Sequence, residues 1–360
     1  VSPARLLTVA KSNSTRSSPG SPILGRCFVH PLFDYLLIGG GLSLLVIPIA
    51  RASMGDRVMM SYSMLPWFIL CSNSAHFAAS TVRLYTKPGA RSALPFLTMA
   101  FPIVTIAILT LCMLFADLAG PYLQAIYLSW SPFHYAAQAY GIAVMYCYRS
   151  GCILTPENKR LLWWIAVLPF IRVLLQSTDK HFLWWFMPDA TAIADAPWSN
   201  AFGSLATVLG VLAIVLPCFL YIRVWKTESQ PMPLISLLAV VTNGIWFIVF
   251  SHYDAYIWAT IFHGIQYLAI ATVFHIKDQM ARPENRHGPK YHAAVFYGAS
   301  LVLGYGLFNC WPQAYMLFGF GPAESVLLVI AVINIHHFIV DAYIWKLKPG
   351  DSNRQIVATT

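Results

Sequence analysis

The sequence predicts an all-α fold: a polytopic integral membrane helical bundle of about ten transmembrane helices, with both termini cytoplasmic. Three observations carry this. The 360 residues are 58% hydrophobic and only 10% charged, whereas a soluble domain carries about 25% charged residues, and the mean hydropathy is +0.62. Apolar runs near the ~20 residues needed to cross about 30 Å of hydrocarbon recur along the whole chain. Basic residues segregate to alternate connections between those runs.

In order, the runs cover residues 31–50, 58–82, 93–116, 121–148, 160–178, 201–224, 233–253, 255–276, 292–311 and 322–345. The fifth is short and contains Arg172. With the N-terminus in the cytoplasm and sides alternating, all but four of the 23 Lys and Arg fall on the cytoplasmic side. The four are Arg51, Arg57 and Lys180 on the opposite side, and Arg172 within a run. The opposite side carries Asp56, Asp117, Asp179, Asp189, Asp195, Asp254 and Glu324. A wrong helix count would scramble that division, so ten spans with both ends cytoplasmic are expected, and the chain is read as a protein of a bacterial inner membrane.

Residues 1–27 are basic and rich in Ser and Pro, and read as a disordered cytoplasmic tail. Residues 28–348 form a single transmembrane domain, and 349–360 a cytoplasmic tail. The loop near 179–200 holds Trp184, Trp185 and Trp198 and is expected along the membrane surface. Gly39-Gly-Gly41, inside the first run, suits close helix packing. Seven cysteines show no CxxC spacing, so neither a thiolate metal site nor a disulfide framework is expected. The basic excess of 23 against 14 acids is explained by topology, and no nucleic-acid partner is expected.

Function is carried by polar residues inside the apolar runs. His336, His337 and Asp341 lie within one turn and a half of the last run. Ionisable groups there cost roughly 2.5–3.5 kcal/mol each on insertion scales, and so are expected to pair, bind a metal or face a cavity. Counting inward from the nearest basic residue, His76 lies about 10 Å deep, His336 and His337 about 14–15 Å, and His134 and His263 about 21–22 Å. Asp34 lies about 12 Å in and Asp341 about 8 Å. Several pair with an acid or amide at helical spacing: His30 with Asp34, Asn73 with His76, His134 with Gln138, His263 with Gln266, and His337 with Asp341.

Neutral imidazole plus carboxylate suits iron, zinc, copper or manganese, and helix-borne ligands converging in a bundle core build such centres. The candidate ligands are His76, His134, His263, His336, His337, Asp34 and Asp341, with His30 a weaker one. Adjacent side chains diverge by about 100° on a helix, so His336 and His337 are expected to play different parts, with His337, on the face of Asp341, the safer ligand.

Ser74-Ala-His-Phe77, Phe262-His-Gly-Ile-Gln-Tyr267 and the early His30-Pro-Leu-Phe-Asp34 resemble motifs of the bacterial membrane carotene-cleaving dioxygenases. The likeness covers these short islands. It implies a polytopic protein with iron-binding histidines on several helices. The HxxxH and HxxHH boxes of membrane desaturases and hydroxylases are absent from the runs. The expectation is therefore a non-haem iron oxidoreductase or oxygenase, with one or two irons, acting on a lipophilic substrate, a lipid or isoprenoid, among membrane lipids. It would draw on a redox partner or form an oligomer. Phe77, Tyr135, Tyr140, Phe262, Tyr267, Phe338 and Tyr343 would line its channel. The alternatives are a haem- or pigment-binding electron-transfer subunit, with haem b clamped by His134 and His263, and a proton-coupled transporter.

Overall fold

The structure is a computed structural model and describes residues 23–54, 64–176, 199–248, 252–347 and 351–358. The regular secondary structure of the described residues is all helical, without a strand. Helices α1 (Pro31–Ile38) and α2 (Gly41–Met54) are followed by α3, a continuous rod of three pieces, Leu65–Phe68, Ile69–Ser74 and Ala75–Thr86. Then come α4 (Phe96–Leu114), α5 (Ala116–Arg149), α6 (Pro156–Gln176) and α7 (Ser199–Thr227). The series closes with α8 (Leu234–Ile248), α9 (His252–Met280), α10 (Pro289–Leu317), α11 (Pro322–Ile344) and the short α12 (Ser352–Ala358). The expected surface loop, including His181, lies outside the described residues, as do the side chains of His252 and Asp254.

Five helices are long and apolar enough to cross a membrane: α4, most of α7 and α9, α10 and α11. The bent pair α1–α2 makes a sixth if it is one span. This is a membrane protein with a core of different composition from its rim. The most apolar stretch of α9 is 83% buried, whereas those of α4 and α7 are 28% and that of α10 is 17%. α9 is thus the central post, and the rim helices turn Ile103, Leu111, Val211, Ile214 and Val302 outward, as lipid-facing surfaces require. Helices α3 and α5 carry Asn73, His76, Ser80, His134 and Gln138 inside their apolar stretches. Those polar residues lower the hydropathy of both.

The first run, read as one span from sequence, is broken. α1 and α2 meet at 65°, because Gly40 takes φ +80, a left-handed conformation that glycine adopts without strain. A Cβ at Gly40 would lie 2.6 Å from Gln266 Nε2 and 2.8 Å from Thr242 Cγ2. A break strands carbonyls that hydrocarbon cannot solvate. Here Gln266 Nε2 donates to Ile38 O (3.2 Å), Thr242 Oγ1 to Gly39 O (3.3 Å) and Ser43 Oγ to Gly40 O (2.7 Å).

In α3, residues Ile69–Ser74 form a π-turn immediately before His76. Two glycines let neighbouring backbones reach it. A Cβ on Gly264 of α9 would meet Ser72 O at 2.8 Å, and one on Gly304 of α10 would meet Ser74 O at 2.7 Å. Backbone-to-backbone approach through small residues fixes helix position more tightly than side-chain packing does. It sets His76 against His263, the neighbour of Gly264.

One end of the bundle is tied by residues 23–27 and 351–358. Arg83 pairs with Asp278 (3.1 Å) and donates to Asn353 Oδ1 (2.7 Å), whose Nδ2 donates to Ile344 O (2.6 Å). Lys87 pairs with Asp351 at 2.8 Å. Burial pulls the Lys87 ammonium below its ordinary range, opposed by the hydrogen bond and charge of Asp351. Residues 351–358, expected as part of a tail, thus form a capping helix with Ile356 and Val357 buried. Residues 23–27 also pack, through Leu234 N to Ile23 O (2.8 Å) and Arg149 Nε to Cys27 O (3.0 Å).

Gly264→Ala should force α9 away from α3, costing about 1–3 kcal/mol as overpacking does and lowering the thermal midpoint. Gly298→Ala, where a Cβ meets nothing within 4 Å, should leave the midpoint unchanged or raise it. Equal midpoints for the two variants would remove the close-packing argument.

Candidate metal centre

Four helices deliver one histidine each to a common point. His76 comes from α3, His134 from α5, His263 from α9 and His337 from α11, and Asp341 joins them one turn after His337. His76 and His263 are fully buried and the other three nearly so. The ring centroids of His76 lie 4.3 Å from His337 and 4.8 Å from His263, and those of His134 lie 4.9 Å from His337 and 5.1 Å from His263.

Two overlapping ligand groups result. His337 Nε2 is 3.1 Å from His134 Nε2 and 3.4 Å from Asp341 Oδ2, and His134 Nε2 is 3.7 Å from the same oxygen. Ligand atoms about 2.0–2.1 Å from one tetrahedral metal stand about 3.3 Å apart, so this triad already has the spacing of a coordination shell. His76, His134 and His263 offer a second, looser group, with atoms within 4.8 Å of one another.

Hydrogen bonds make the same distinction. Neither ring nitrogen of His76 nor of His263 meets a hydrogen-bond partner among the described residues. Orphaned buried polar groups cost roughly 1–3 kcal/mol each, and native interiors avoid them. A metal ion between these rings would satisfy the inward-facing nitrogens, so the residues fit one.

The surroundings aim the ligands. Ser80 Oγ donates to Phe77 O (2.8 Å), so it accepts from His337 Nδ1 (2.9 Å). That assignment puts the His337 proton on Nδ1 and turns the Nε2 lone pair toward His134 and Asp341, as outer partners of metal-binding histidines do. Tyr267 OH donates to Asp341 Oδ1 (2.7 Å) and accepts from Trp345 Nε1 (3.4 Å). This occupies one carboxylate oxygen and leaves Oδ2 facing the rings. Tyr135 stacks on His263 at 4.1 Å and is held by Thr260 (2.9 Å). Gln138 Nε2 donates to His263 O at 3.4 Å.

Five of the seven sequence-derived ligands therefore meet: His76, His134, His263, His337 and Asp341. Two do not. His336 turns away, stacks on Phe101 (4.7 Å, 11°) and lines a separate cavity of about 180 Å³ with Thr81 and Ile333. Its departure follows from the 100° step between adjacent helix positions. Asp34 is spent on the entry to α1. Its carboxylate accepts from the N–H groups of Phe28, Val29 (3.1 Å) and His30 (3.3 Å) and from Tyr146 OH (2.7 Å). Four donors leave it no role as a ligand, so its sequence depth misled.

The other histidines stand apart. His30 is exposed and its Nδ1 accepts from Leu32 N. His275 meets Thr86, His292 meets Asn285, and His287 stacks on Tyr291. Sequence reasoning missed Ser80. Its signal was a hydroxyl four residues after His76, inside the same apolar stretch.

A cavity of about 370 Å³ opens beside the centre, with Trp130, Phe133, Phe338 and Tyr267 in its wall and His134 and Asp341 at its polar point. Comparison with protein-family models, curated proteins and solved structures gives no match for the chain.

Ser80→Ala should leave the protein folded and weaken metal binding about 10–100-fold, the usual effect of losing an outer hydrogen bond. His337→Ala and His76→Ala should lower metal content further, whereas His336→Ala should not change it. Elemental analysis of the four purified variants checks this. Equal metal in His76→Ala, His337→Ala and the unaltered protein would refute the ligand set.

Proposed function

We propose that this chain is a membrane-embedded non-haem iron oxidoreductase, an oxygenase acting on a lipid or isoprenoid. The observation that carries the reading is the meeting of four buried histidines and a carboxylate, with orphaned ring nitrogens, at the wall of an apolar cavity. Imidazole with a single carboxylate is a donor set that iron accepts, and such sites keep positions open for oxygen chemistry. Iron bound there would supply the redox step. The chain's own part is to hold the ligands through Ser80 and Tyr267, exclude water and present an apolar chain to the centre.

The two ligand groups share His134, whose one free ring nitrogen serves a single ion, so the five ligands are read as holding one or two irons. The haem reading requires a macrocycle between His134 and His263. Those rings stand 5.1 Å apart edge to face, with the His76 ring 4.8 Å from one and 6.3 Å from the other. A porphyrin there would have to displace His76 and separate α5 from α9, which counts against haem.

We further read ten membrane crossings, with both termini on the cytoplasmic side of a bacterial inner membrane. The support is the division of basic residues between alternate connections. In a cysteine-free background, single cysteines at Ser150 and Gly319 should react with an impermeant thiol reagent from opposite faces of sealed vesicles. Labelling from one face only would remove this topology.

Metal content and the absorption spectrum of the purified protein test the functional reading together. About one or two irons per chain without a Soret band is the expected outcome. A Soret band would turn the assignment to haem, and absence of any bound metal would end it.

A further inference from the structure

The large cavity has a direction, set by the two helices that bound it. α5 contributes Trp130 and Phe133 at one end and Met145 at the other, a run of about 22 Å at 1.5 Å per residue. α11 runs alongside in the same sense, from Phe338 through Asp341 to Trp345 and Lys346. The cavity is a slot parallel to the helices. Its walls are apolar, the metal centre touches it at His134 and Asp341, and one cation stands at its end.

That cation is unlike the others nearby. Arg83 is paired with Asp278, and Lys87 with Asp351. Lys346 is exposed, packs its ammonium over the Tyr343 ring at 4.1 Å, and pairs with no carboxylate among the described residues. A slot of apolar walls ending in a free ammonium complements one kind of molecule.

We propose that the slot binds a single-chain amphiphile with an anionic headgroup. Lys346 engages the head, and the apolar chain passes His134 and Asp341 to end between Trp130 and Phe133. The centre then faces the chain between its ends, with Asp341 about 8 Å from Lys346 along α11, and His134 about 16 Å from Met145 and about 6 Å from Trp130 along α5. This deepens the oxygenase reading by naming its substrate class, and rests on it only for what happens to the chain once bound. A volume of about 370 Å³ falls in the range of roughly 300–1,000 Å³ for small-molecule sites.

Gly141 lies in the slot wall, and a Cβ there meets nothing within 4 Å. A larger residue at 141 would therefore grow into the slot without disturbing the backbone. Lys346 is exposed, so changing it should not unfold the protein.

The test uses metal-free protein in a non-ionic detergent, with cis-parinaric acid and the corresponding alcohol as probes. Energy transfer from tryptophan reports binding. The acid should bind at least about tenfold tighter than the alcohol, a difference of about 1.4 kcal/mol. K346Q should abolish that preference and K346R keep it, while G141L should weaken both probes. Displacement of the acid by palmitate or by lysophosphatidate supports the proposal, and the stronger competitor distinguishes a carboxylate head from a phosphate head. Equal affinity for acid and alcohol, a preference that survives K346Q, binding untouched by G141L, or displacement by neither competitor would each overturn it. No metal is needed in this assay, so a failure here is separate from a failure to find iron.

Discussion

The cost of burying an imidazole with nothing to bond governs this molecule. Hydrocarbon offers no water to a stranded ring nitrogen, and four such nitrogens belong to His76 and His263. Packing alone gives no reason to keep them. Around these rings several side chains are engaged: Ser80 with His337, Tyr267 with Asp341, Thr260 with Tyr135. The ring nitrogens of His76 and His263 stand outside that network.

Holding the ligand shell falls to close backbone packing on one side and to a polar chain of contacts on the other. The π-turn of α3 and the two glycines facing it bring three backbones together next to His76 and His263. On the far side, Asp341 is reached through Tyr267 and Trp345, and the Trp345 ring also carries the Arg83 guanidinium at 5.1 Å. Arg83 leads to Asp278 and Asn353. A continuous set of contacts thus runs from the ligand carboxylate to the tied end of the bundle, so rigidity at that end is felt at the centre.

The fold class and most of the centre were legible in sequence, for a physical reason. Apolar runs have to be long in a bilayer, and ionisable residues inside them stand out against a background that excludes them. Depth counting from basic residues placed His76, His134, His263, His337 and Asp341 inside the bundle, and in the structure the five meet. It failed for Asp34, whose run breaks at Gly40 and whose carboxylate serves backbone N–H groups that no hydropathy pattern marks. His336 and His337 have the same depth, and only their azimuth separates them. Ser80 was unreadable for another reason: a serine in an apolar helix ordinarily bonds its own backbone, as this one also does to Phe77 O, and nothing in the string of letters reveals its second partner.

The order in which the ligands leave the ribosome has a consequence of its own. His76, His134 and His263 belong to helices that precede α11, whereas His337 and Asp341 sit on α11 itself, and Asn353, which braces Arg83, follows them. Until α11 has been made, no nascent chain contains both ligand triads. The group His76, His134 and His263 can therefore assemble first, and the triad His134, His337 and Asp341 closes only once α11 has joined the bundle.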